Sequence, residues 1–429
     1  MSKIKNLWQI KELRTKLLFT ISMLLLFRVG CNLAVPFINS TALSVMFTSG
    51  NMLTYLNMMS GGALSQCAVF ALGVTPYINA SIIIQLLTVA IPKLENIKKD
   101  TNGQETIEKI TRYVAVVLAA IMSIGYYFII RNYGALHYPS GVSGIFTAII
   151  IVAVFVAGSQ MTLWLGNQID AHGLGNGVSF IIFAGIVSRW SSVYSTVMNI
   201  AVKVQAGDWK YAGIGAALVV MFLLMVYFVV YVNGSERRIN VNYASQIIGR
   251  KQHGGADSFI PLKLIMSGVM PIIFASTILS IPQTISMFVN SANHPGLYKA
   301  LTGFNSTNWG YCILYPALIF LFNYFYISIQ YDPIQMANNL RKNAGTIPGI
   351  RPGKPTSDFL QKAMNQLAGT GSLALVLIAM APIIVGKVTG MSVQLGGTSL
   401  LIVVGVATEL MTAIDSYVIV RHHKGFLGY

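Results

Sequence analysis

The sequence has 429 residues, of which 54% are hydrophobic and only 10% are charged. A soluble domain carries about 25% charged residues, so this composition excludes a chain that faces water on all sides. The net charge of +16 would suit a nucleic-acid-binding protein, but membrane proteins also concentrate Lys and Arg in their cytoplasmic loops. We therefore expect one multi-helix integral membrane domain whose basic loops could still contact acidic partners.

Long apolar runs recur along the chain, and each has the roughly 20 residues that a helix needs to cross a bilayer core. The first run follows a basic N-terminal stretch and continues beyond Cys31 without a small-residue cleavage site, so we expect a retained span. The fifth run is the least regular, because Arg189 and Trp190 interrupt it. The ten predicted spans are residues 17–37, 70–91, 113–131, 144–165, 178–200, 212–233, 264–289, 310–331, 366–387 and 398–420.

The distribution of basic residues predicts how these spans are oriented. Of the 29 Lys and Arg residues, 22 fall in connections on the side of the N-terminus, six fall on the other side, and Arg28 lies in the first span. Because cytoplasmic loops carry the excess of Lys and Arg, we expect both chain ends in the cytoplasm. Ten spans divide into an N-terminal half, 1–200, and a C-terminal half, 201–429. Because five is odd, two halves of similar fold would have opposite orientations in the membrane, so we expect inverted repeats.

A further apolar stretch at 52–68 is too short to cross a bilayer alone and is rich in Gly, Ser and Asn. We expect a re-entrant half-helix there, because irregular backbone at membrane depth must be buried in protein. The predicted fold is therefore an all-α integral membrane protein. It has ten transmembrane helices in two pseudosymmetric inverted halves of five, with one short re-entrant helix in the first half.

Residues that carry chemistry are scarce inside the predicted spans. Glu409 is the one acid near the middle of a span, where either a helix–helix hydrogen bond or a functional role would explain it. The three cysteines form no CxxC pair and the histidines fall in predicted loops or at the chain end, so we expect no metal site and no cofactor. No nucleophile–base pattern is visible, which argues against an enzyme. The ionisable candidates within or beside the spans are Arg28, Arg189, Glu409 and Asp415.

Two long connections, 234–263 and 332–365, each carry five basic residues. In the second connection three prolines stiffen the backbone, while Gly349 and Gly353 permit sharp turns. Solvated charge is the ordinary explanation of such runs. A stiff basic loop held off the membrane would also suit a docking surface, so both interpretations stay open from the residues alone.

Five stretches, in chain order, resemble the SecY family of channel subunits of the bacterial protein-export translocon. They lie on the predicted spans and loops, and the resemblance extends over essentially the whole chain. The stretches are 60–88 (SGGALSQCAVFALGVTPYINASIIIQLLT), 164–187 (WLGNQIDAHGLGNGVSFIIFAGIV), 260–276 (IPLKLIMSGVMPIIFAS), 338–356 (NNLRKNAGTIPGIRPGKPT) and 396–406 (GGTSLLIVVGV). The resemblance implies a channel that moves unfolded preproteins across the cytoplasmic membrane of a bacterium and releases transmembrane segments sideways into lipid.

The resemblance also implies roles for residues that would otherwise be ordinary packing or solvated positions. An apolar ring would close the waist of the channel by excluding water. The implied ring residues are Val74, Ile78, Ile182, Ile273, Thr277 and Ile402. The half-helix would be a plug that includes Gly61, Gly62, Ala63, Leu64 and Ser65. The lateral gate would include Gln85 and Thr111, and Arg250, Lys251 and Arg351 would contact a motor or the ribosome.

The partners that the resemblance implies are small membrane subunits of the SecE and SecG type, the SecA motor ATPase, the ribosome with its rRNA, signal sequences and preproteins, and the lipid bilayer. Two stretches depart from the family pattern. Residues 100–111 lack the usual basic cluster, and Asp332-Pro333-Ile334 stands where Asn-Pro and a charged residue are usual. The alternative function is an inverted-repeat secondary transporter, which would need a polar substrate site at the midplane of the membrane.

Overall fold

The computed structural model describes residues 10–39, 57, 60, 62–100, 102–132, 134–138, 141–188, 198, 202, 204–205, 209–243, 246–248, 251–253, 257–286, 296, 301, 303, 308–389 and 397–424. Over these residues the protein is mostly helical. The principal helices are α1 (Lys11–Asn32), α2 (Thr75–Ala90), α3 (Pro92–Lys99), α4 (Gly103–Asn132), α5 (Gly141–His172), α6 (Gly177–Ser188), α7 (Trp209–Gly234), α8 (Met270–Ser286), α9 (Trp309–Gln330), α10 (Pro333–Lys342), α11 (Lys354–Thr389) and α12 (Gly397–Lys424). The strands are β1 (Glu236–Tyr243), β2 (Gln246–Ile248), β3 (Lys251–His253), β4 (Asp257–Lys263) and β5 (Gly345–Thr346).

Every predicted span overlaps one of these helices. Within the described part of the chain, five helical stretches are long and apolar enough to cross a membrane, or six if the bent pair α2–α3 forms one span. The five stretches are Gly103–Arg131, Gly141–His172, Ala212–Gly234, Gly310–Lys342 and Lys354–Lys387. The prediction of a mostly helical chain with several apolar helices is therefore confirmed, while the count of ten spans stays a prediction.

Helix α7 exposes large apolar side chains on most of its surface. Leu223 and Leu224 are 61% and 62% exposed, and Tyr227 one turn later is 71% exposed. A helix that is apolar on nearly all sides and exposed over most of its length must face lipid or another apolar protein surface, since in water such a patch would associate. The exposure of α7 therefore supports a membrane-embedded chain.

A sharp bend separates α2 from α3. Ile91 lies between the two helices in an extended conformation, because the ring of Pro92 disfavours the helical conformation in the residue before it. The two helix axes differ in direction by 106°. The α3 sequence, PKLENIKK, is mostly polar. The apolar α2 thus ends at the bend, and α3 leaves its axis as a separate polar helix.

The basic connection at 234–263 is a β-hairpin, so the expectation of an all-α fold is wrong there. Strand β1 pairs antiparallel with β4 on one side and with β5 on the other, and β2 pairs with β3. The hairpin forms because β1 alternates: Ile239 and Val241 are buried, and the residues between and beside them are exposed or partly exposed. The second basic connection also has regular structure, since it contains α10, β5 and the first turns of α11.

These elements form one packed layer around the first turns of α11, the end that follows the second basic connection. We call this layer the basic-end core. Its buried members come from β1 and β4, from the turn before α8, from α9 and α10, from the residue after β5, and from the first turns of α11. They are Ile239, Val241, Leu262, Met266, Ile327, Leu340, Ile347, Leu360, Ala363, Met364, Leu367 and Ala368. The two basic connections are therefore held by a hydrophobic core, which fixes the backbone of the loops that it carries.

A buried polar network joins α9 to α11 next to this core. The side-chain amide of Asn323 donates to the carbonyl of Ala368 at 2.8 Å and to Oγ of Ser372 at 2.7 Å. The hydroxyl of Ser267, in the turn before α8, donates to Oδ1 of Asn323. Asn323 and both serines are almost completely buried. Buried polar groups of this kind fix one arrangement of the surrounding helices, because moving them would break several hydrogen bonds together.

The chain separates into two compact units. The first comprises Met1–Gly215, Ser280–Asn305 and Ile402–Tyr429. The second comprises Ala216–Leu279 and Ser306–Leu401, and it contains the basic-end core and the Asn323 network. The division into an N-terminal half, 1–200, and a C-terminal half, 201–429, related as inverted repeats, stays a prediction.

Candidate functional site

The six predicted ring residues all lie on or beside helices. Val74 precedes the first turn of α2, and its carbonyl accepts the backbone N–H of Ile78 at 3.0 Å. Thr277 is half-buried, while the other five are only 3% to 6% exposed. Four of the residues belong to the first compact unit and two, Ile273 and Thr277, belong to the second. Burial of branched apolar side chains suits a dry constriction, and their assembly into a ring stays a prediction.

The described part of the predicted plug is mostly turns, with Asn57 helical and Ala68 in an isolated β-bridge to Ala34. Ser60 and residues 62–67 form consecutive turns, so the expected half-helix does not extend over them; Gly61 and most of 52–59 lie outside the described residues. Polar side chains satisfy the backbone here: the N–H of Ser65 donates to Oδ1 of Asn57 at 2.9 Å, and the N–H of Leu64 donates to Oγ of Ser60 at 3.3 Å. Asn and Ser side chains that accept backbone N–H groups compete with helix formation, which explains the turns.

These turns are attached to α1 and α4. The hydroxyl of Tyr126 on α4 donates to the carbonyl of Leu64, and the thiol of Cys31 on α1 donates to the carbonyl of Ser60 at 3.6 Å. The buried residues of the described part of 52–68 are Asn57, Ser60, Ala63, Leu64, Cys67 and Ala68. The described part of the predicted plug is thus a buried, hydrogen-bonded segment.

The next residues, Val69 and Phe70, fit between two helices only because both helices present glycine. A Cβ on Gly158 of α5 would lie 2.0 Å from the backbone oxygen of Val69, and a Cβ on Gly30 of α1 would lie 2.1 Å from the Phe70 ring. Real Cβ contacts are not that short, so a side chain at either glycine would displace the segment. Nothing in the sequence distinguishes these two glycines, because glycine is common in membrane helices.

The two predicted gate residues lie on α2 and α4, which pack against each other. Gln85 is half-buried on α2, and its amide donates to Oγ of Ser81 at 3.2 Å. Thr111 is buried on α4, and its hydroxyl donates to the carbonyl of Ile107 at 2.8 Å. Both side chains therefore bond within their own helix, and their part in a lateral gate stays a prediction.

Arg351 is the predicted docking residue that the structure describes in full. It is exposed in a loop with positive φ at Gly349 (80°) and Gly353 (105°), which glycine adopts without strain. The carbonyl of Arg351 accepts the hydroxyl of Thr356 at 2.9 Å, and Ile347 at the start of the loop belongs to the basic-end core. Arg250 lies outside the described residues, and Lys251 begins strand β3.

The second departure from the family pattern has a structural role. The carboxylate of Asp332 accepts the backbone N–H of Ile334 at 2.9 Å and that of Gln335 at 3.2 Å, so Asp332 caps α10. Pro333 occupies the first turn, where a missing N–H costs nothing. The first departure from the family pattern is residues 100–111. There Oε1 of Glu108 forms an ion pair with Nη2 of Arg112 at 2.6 Å on the exposed surface of α4.

No metal centre is present among the residues that the structure describes. No three His, Cys, Asp or Glu side chains come together in that part of the chain. Glu409 is exposed on α12, where it makes no hydrogen bond within the described residues, so the expected helix–helix hydrogen bond is not seen there.

The helices, their exposure and the basic-end core define a polytopic α-helical membrane protein. A family model described as SecY matches residues 68–411. The protein translocase subunit SecY of Bacillus subtilis (strain 168) is 39% identical over 436 residues, which cover 99% of each chain. The chain belongs to the SecY family.

Two solved structures share this fold. One is described as the structure of a protein conducting channel, and it has a TM-score of 0.62 at 16% identity over 94% of this chain and 92% of that chain. The other is Sec61 in the canine ribosome-channel complex from the endoplasmic reticulum, with a TM-score of 0.61 at 15% identity over 94% of this chain and 92% of that chain. Identities this low establish likeness of fold alone.

Proposed function

We propose that this chain is the protein-conducting channel subunit of a bacterial protein translocase, and that it is not an enzyme. The observation that carries the proposal is the 39% identity to the Bacillus subtilis translocase subunit over 99% of both chains. Likeness of fold to a protein-conducting channel supports it. The secondary-transporter alternative has no support from Glu409, because that carboxylate is exposed on α12.

In this proposal the six ring residues line the narrowest part of the passage. Five of them are buried branched aliphatic side chains, and a constriction of that chemistry excludes water and therefore ions without any fixed charge. The segment from 52 to 68 seals the passage as a plug. Gln85 and Thr111 belong to a lateral gate through which an apolar signal sequence enters lipid, where each buried CH₂ contributes about 0.8 kcal/mol.

The basic connections serve as the docking surface for the partners that supply the chain to be moved. Arg351, Arg250 and Lys251 contact a SecA-type motor or the ribosome, whose rRNA offers phosphates to a basic surface. The structure supports this assignment because the basic-end core fixes the loop of Arg351, so little conformational entropy is lost when a partner binds. The likeness of fold to a channel from a ribosome complex is consistent with ribosome docking.

The remaining parts of the proposal concern location and assembly. The chain resides in the cytoplasmic membrane of a bacterium with both termini in the cytoplasm, because the connections on that side hold 22 of the 29 Lys and Arg residues. Small membrane subunits of the SecE and SecG type complete the complex. The exposed apolar side chains of α4, α5 and α7 provide surface for such subunits or for lipid.

Reconstitution into proteoliposomes tests the function. The full chain, with its small subunits, the motor ATPase and ATP, should make an unfolded preprotein resistant to added protease. Omitting the motor or replacing ATP by ADP should abolish that resistance. Uptake of radiolabelled amino acids or sugars by the same vesicles, with no protection of preprotein, would contradict the proposal and favour the transporter.

Ion conductance tests the ring. Replacing Ile78, Ile182 or Ile402 by Gly or Ser should raise single-channel conductance in planar bilayers, because a smaller or more polar ring stays wet. Ile149→Ser on α5 is the matched control, since Ile149 is 62% exposed and is not one of the proposed ring residues. Conductance equal to that of the unmodified chain in all three ring variants would contradict the ring.

A further inference from the structure

A thiol and an amine from different helices meet where α9 begins and α11 ends. Cys312 lies in the first turn of α9, and Lys387 lies in the last turn of α11. Nζ of Lys387 donates to Sγ of Cys312 at 3.1 Å and to the carbonyl of Asn308 at 3.3 Å. No atom fits between nitrogen and sulfur at that separation, so the two side chains are in direct contact. Their helices pack against each other within the second compact unit.

Cys312 also differs from the other two cysteines in its access to solvent. Cys31 and Cys67 are each 1% exposed, whereas Cys312 is half-buried. Reactive cysteines lie in partly exposed, electropositive surroundings, such as the first turn of a helix or the neighbourhood of a Lys. Cys312 has both surroundings. An oxidant in the solvent can therefore reach the sulfur of Cys312 and not those of Cys31 and Cys67.

The predicted topology places this contact at the outer surface of the membrane. Cys312 lies near the start of the predicted span 310–331, and Lys387 ends the predicted span 366–387. Both are at the end of the span that is remote from the basic connections. The glutathione and thioredoxin that keep thiols reduced act in the cytoplasm. On the outer side, Cys312 meets dissolved oxygen without that reducing pool.

We propose that Cys312 and Lys387 form a reversible covalent link in which one oxygen atom joins the sulfur to the nitrogen. The oxidant is dioxygen. The S–H bond of Cys312 and two N–H bonds of the Lys387 ammonium break, while one S–O bond and one O–N bond form. One hydrogen leaves as a proton, and the other two leave as water with the second oxygen atom. Sulfur and nitrogen each lose two electrons, and dioxygen gains four.

The geometry favours an oxygen bridge over a direct S–N bond. A single oxygen spans a sulfur and a nitrogen that are already 3.1 Å apart after a small approach, whereas a direct bond requires the two atoms to close to bonding distance. The link fastens α9 to α11 about three turns before Asn323, which is roughly 16 Å at about 1.5 Å per residue. Asn323 joins the same two helices by hydrogen bonds. Oxidation therefore holds the pair at two separate points, and a reductant releases one of them.

Mass spectrometry of the full chain tests the link. Membranes are collected from aerated cells, free thiols are blocked at once with iodoacetamide in denaturant, and the chain is digested with chymotrypsin. The expected product joins the peptides of Cys312 and Lys387 at their summed mass plus one oxygen and minus two hydrogens. Dithiothreitol should separate the two peptides, and cells grown without oxygen should not form the product.

Variants of the two residues identify the atoms that are joined. Lys387→Arg keeps the positive charge but has no primary amine, and Cys312→Ser has no sulfur, so both should lose the product. Lys354→Arg is the matched control, since Lys354 is an exposed lysine at the opposite end of α11 and its replacement should leave the product unchanged.

Three results would overturn the proposal. Complete alkylation of Cys312 in the chain from aerated cells would show that its thiol stays free. Joined peptides that lack the additional oxygen would show a direct S–N bond instead of an oxygen bridge. A disulfide between the Cys312 residues of two chains would assign the thiol to a contact between copies.

Discussion

The contribution of the Asn323 network to the packing of α9 against α11 can be measured by replacing Asn323. Replacing Asn323 by Ala removes three hydrogen bonds: those to the carbonyl of Ala368 and the hydroxyl of Ser372, and the one received from Ser267. Ser372 keeps a bond to the carbonyl of Ala368 at 2.7 Å, whereas Ser267 is left buried without that acceptor. The expected loss of stability therefore comes from three broken bonds and one unsatisfied hydroxyl.

Side-chain hydrogen bonds between membrane helices contribute about 0.6 kcal/mol each on average and about 1.7 kcal/mol at most. Three such bonds therefore contribute about 2 kcal/mol. A buried hydroxyl that loses its acceptor adds about 1 kcal/mol or more. We expect Asn323→Ala to lower the free energy of unfolding by about 3 kcal/mol.

Reversible unfolding of the purified chain in mixed micelles, followed by tryptophan fluorescence, measures this quantity. Asn339→Ala on α10 is the matched control, because Asn339 is exposed and an exposed substitution should change stability by less than about 0.5 kcal/mol. Ser372→Ala should cost less in the Asn323→Ala background than alone, since the two residues share a bond. Equal stabilities of Asn323→Ala and Asn339→Ala would refute the reasoning.

Three shorter predictions concern the Arg351 loop, the close contact between Gly158 and Val69, and the membrane topology. Arg351→Glu should abolish motor-driven export at normal membrane abundance, and Arg351→Lys should weaken export because Lys loses the guanidinium fork; normal export in both would refute a docking role. Gly158→Ala should reduce the yield of folded chain, because the new Cβ would lie 2.0 Å from a backbone oxygen, whereas Gly213→Ala meets no atom within 4 Å and should be tolerated. With the native cysteines replaced, a cysteine at Gly353 should react with impermeant reagents only from the cytoplasm and one at Asn293 only from outside; labelling from one side would break the predicted topology.

The apolar runs predicted helix boundaries accurately for helices whose whole length is apolar. The predicted spans 212–233 and 310–331 differ by at most three residues from α7 and α9. Helix α11 begins twelve residues before the predicted span at 366, because its first turns are amphipathic and contain too many polar residues to count as an apolar run. Hydropathy finds the buried length of a helix and carries no information about a polar extension.

The sequence was less informative about the hairpin and the Asn323 network. Ile239 and Val241 alternate with polar residues as in a half-buried strand, but the charges of β1 are equally typical of a solvated loop. A lone Asn in an apolar run does not reveal its hydrogen-bond partners, since Ala368 and Ser372 come from a different helix. The candidate ring, gate and docking residues came from family resemblance, because isolated apolar or basic residues look alike in any membrane protein.

The basic-end core has a mechanical consequence for a partner that pushes a polypeptide into the membrane. Force applied at the Arg351 loop enters a close-packed layer that includes Ile347, Leu360 and the strands β1 and β4. Packed protein interiors have low compressibility, so such a layer transmits displacement instead of absorbing it as a slack tether would. If a motor docks at Arg351 as proposed, thrust on the loop would be delivered as strain along α9 and α11, and the stiffness of this layer would set how much of the motor's stroke reaches the membrane.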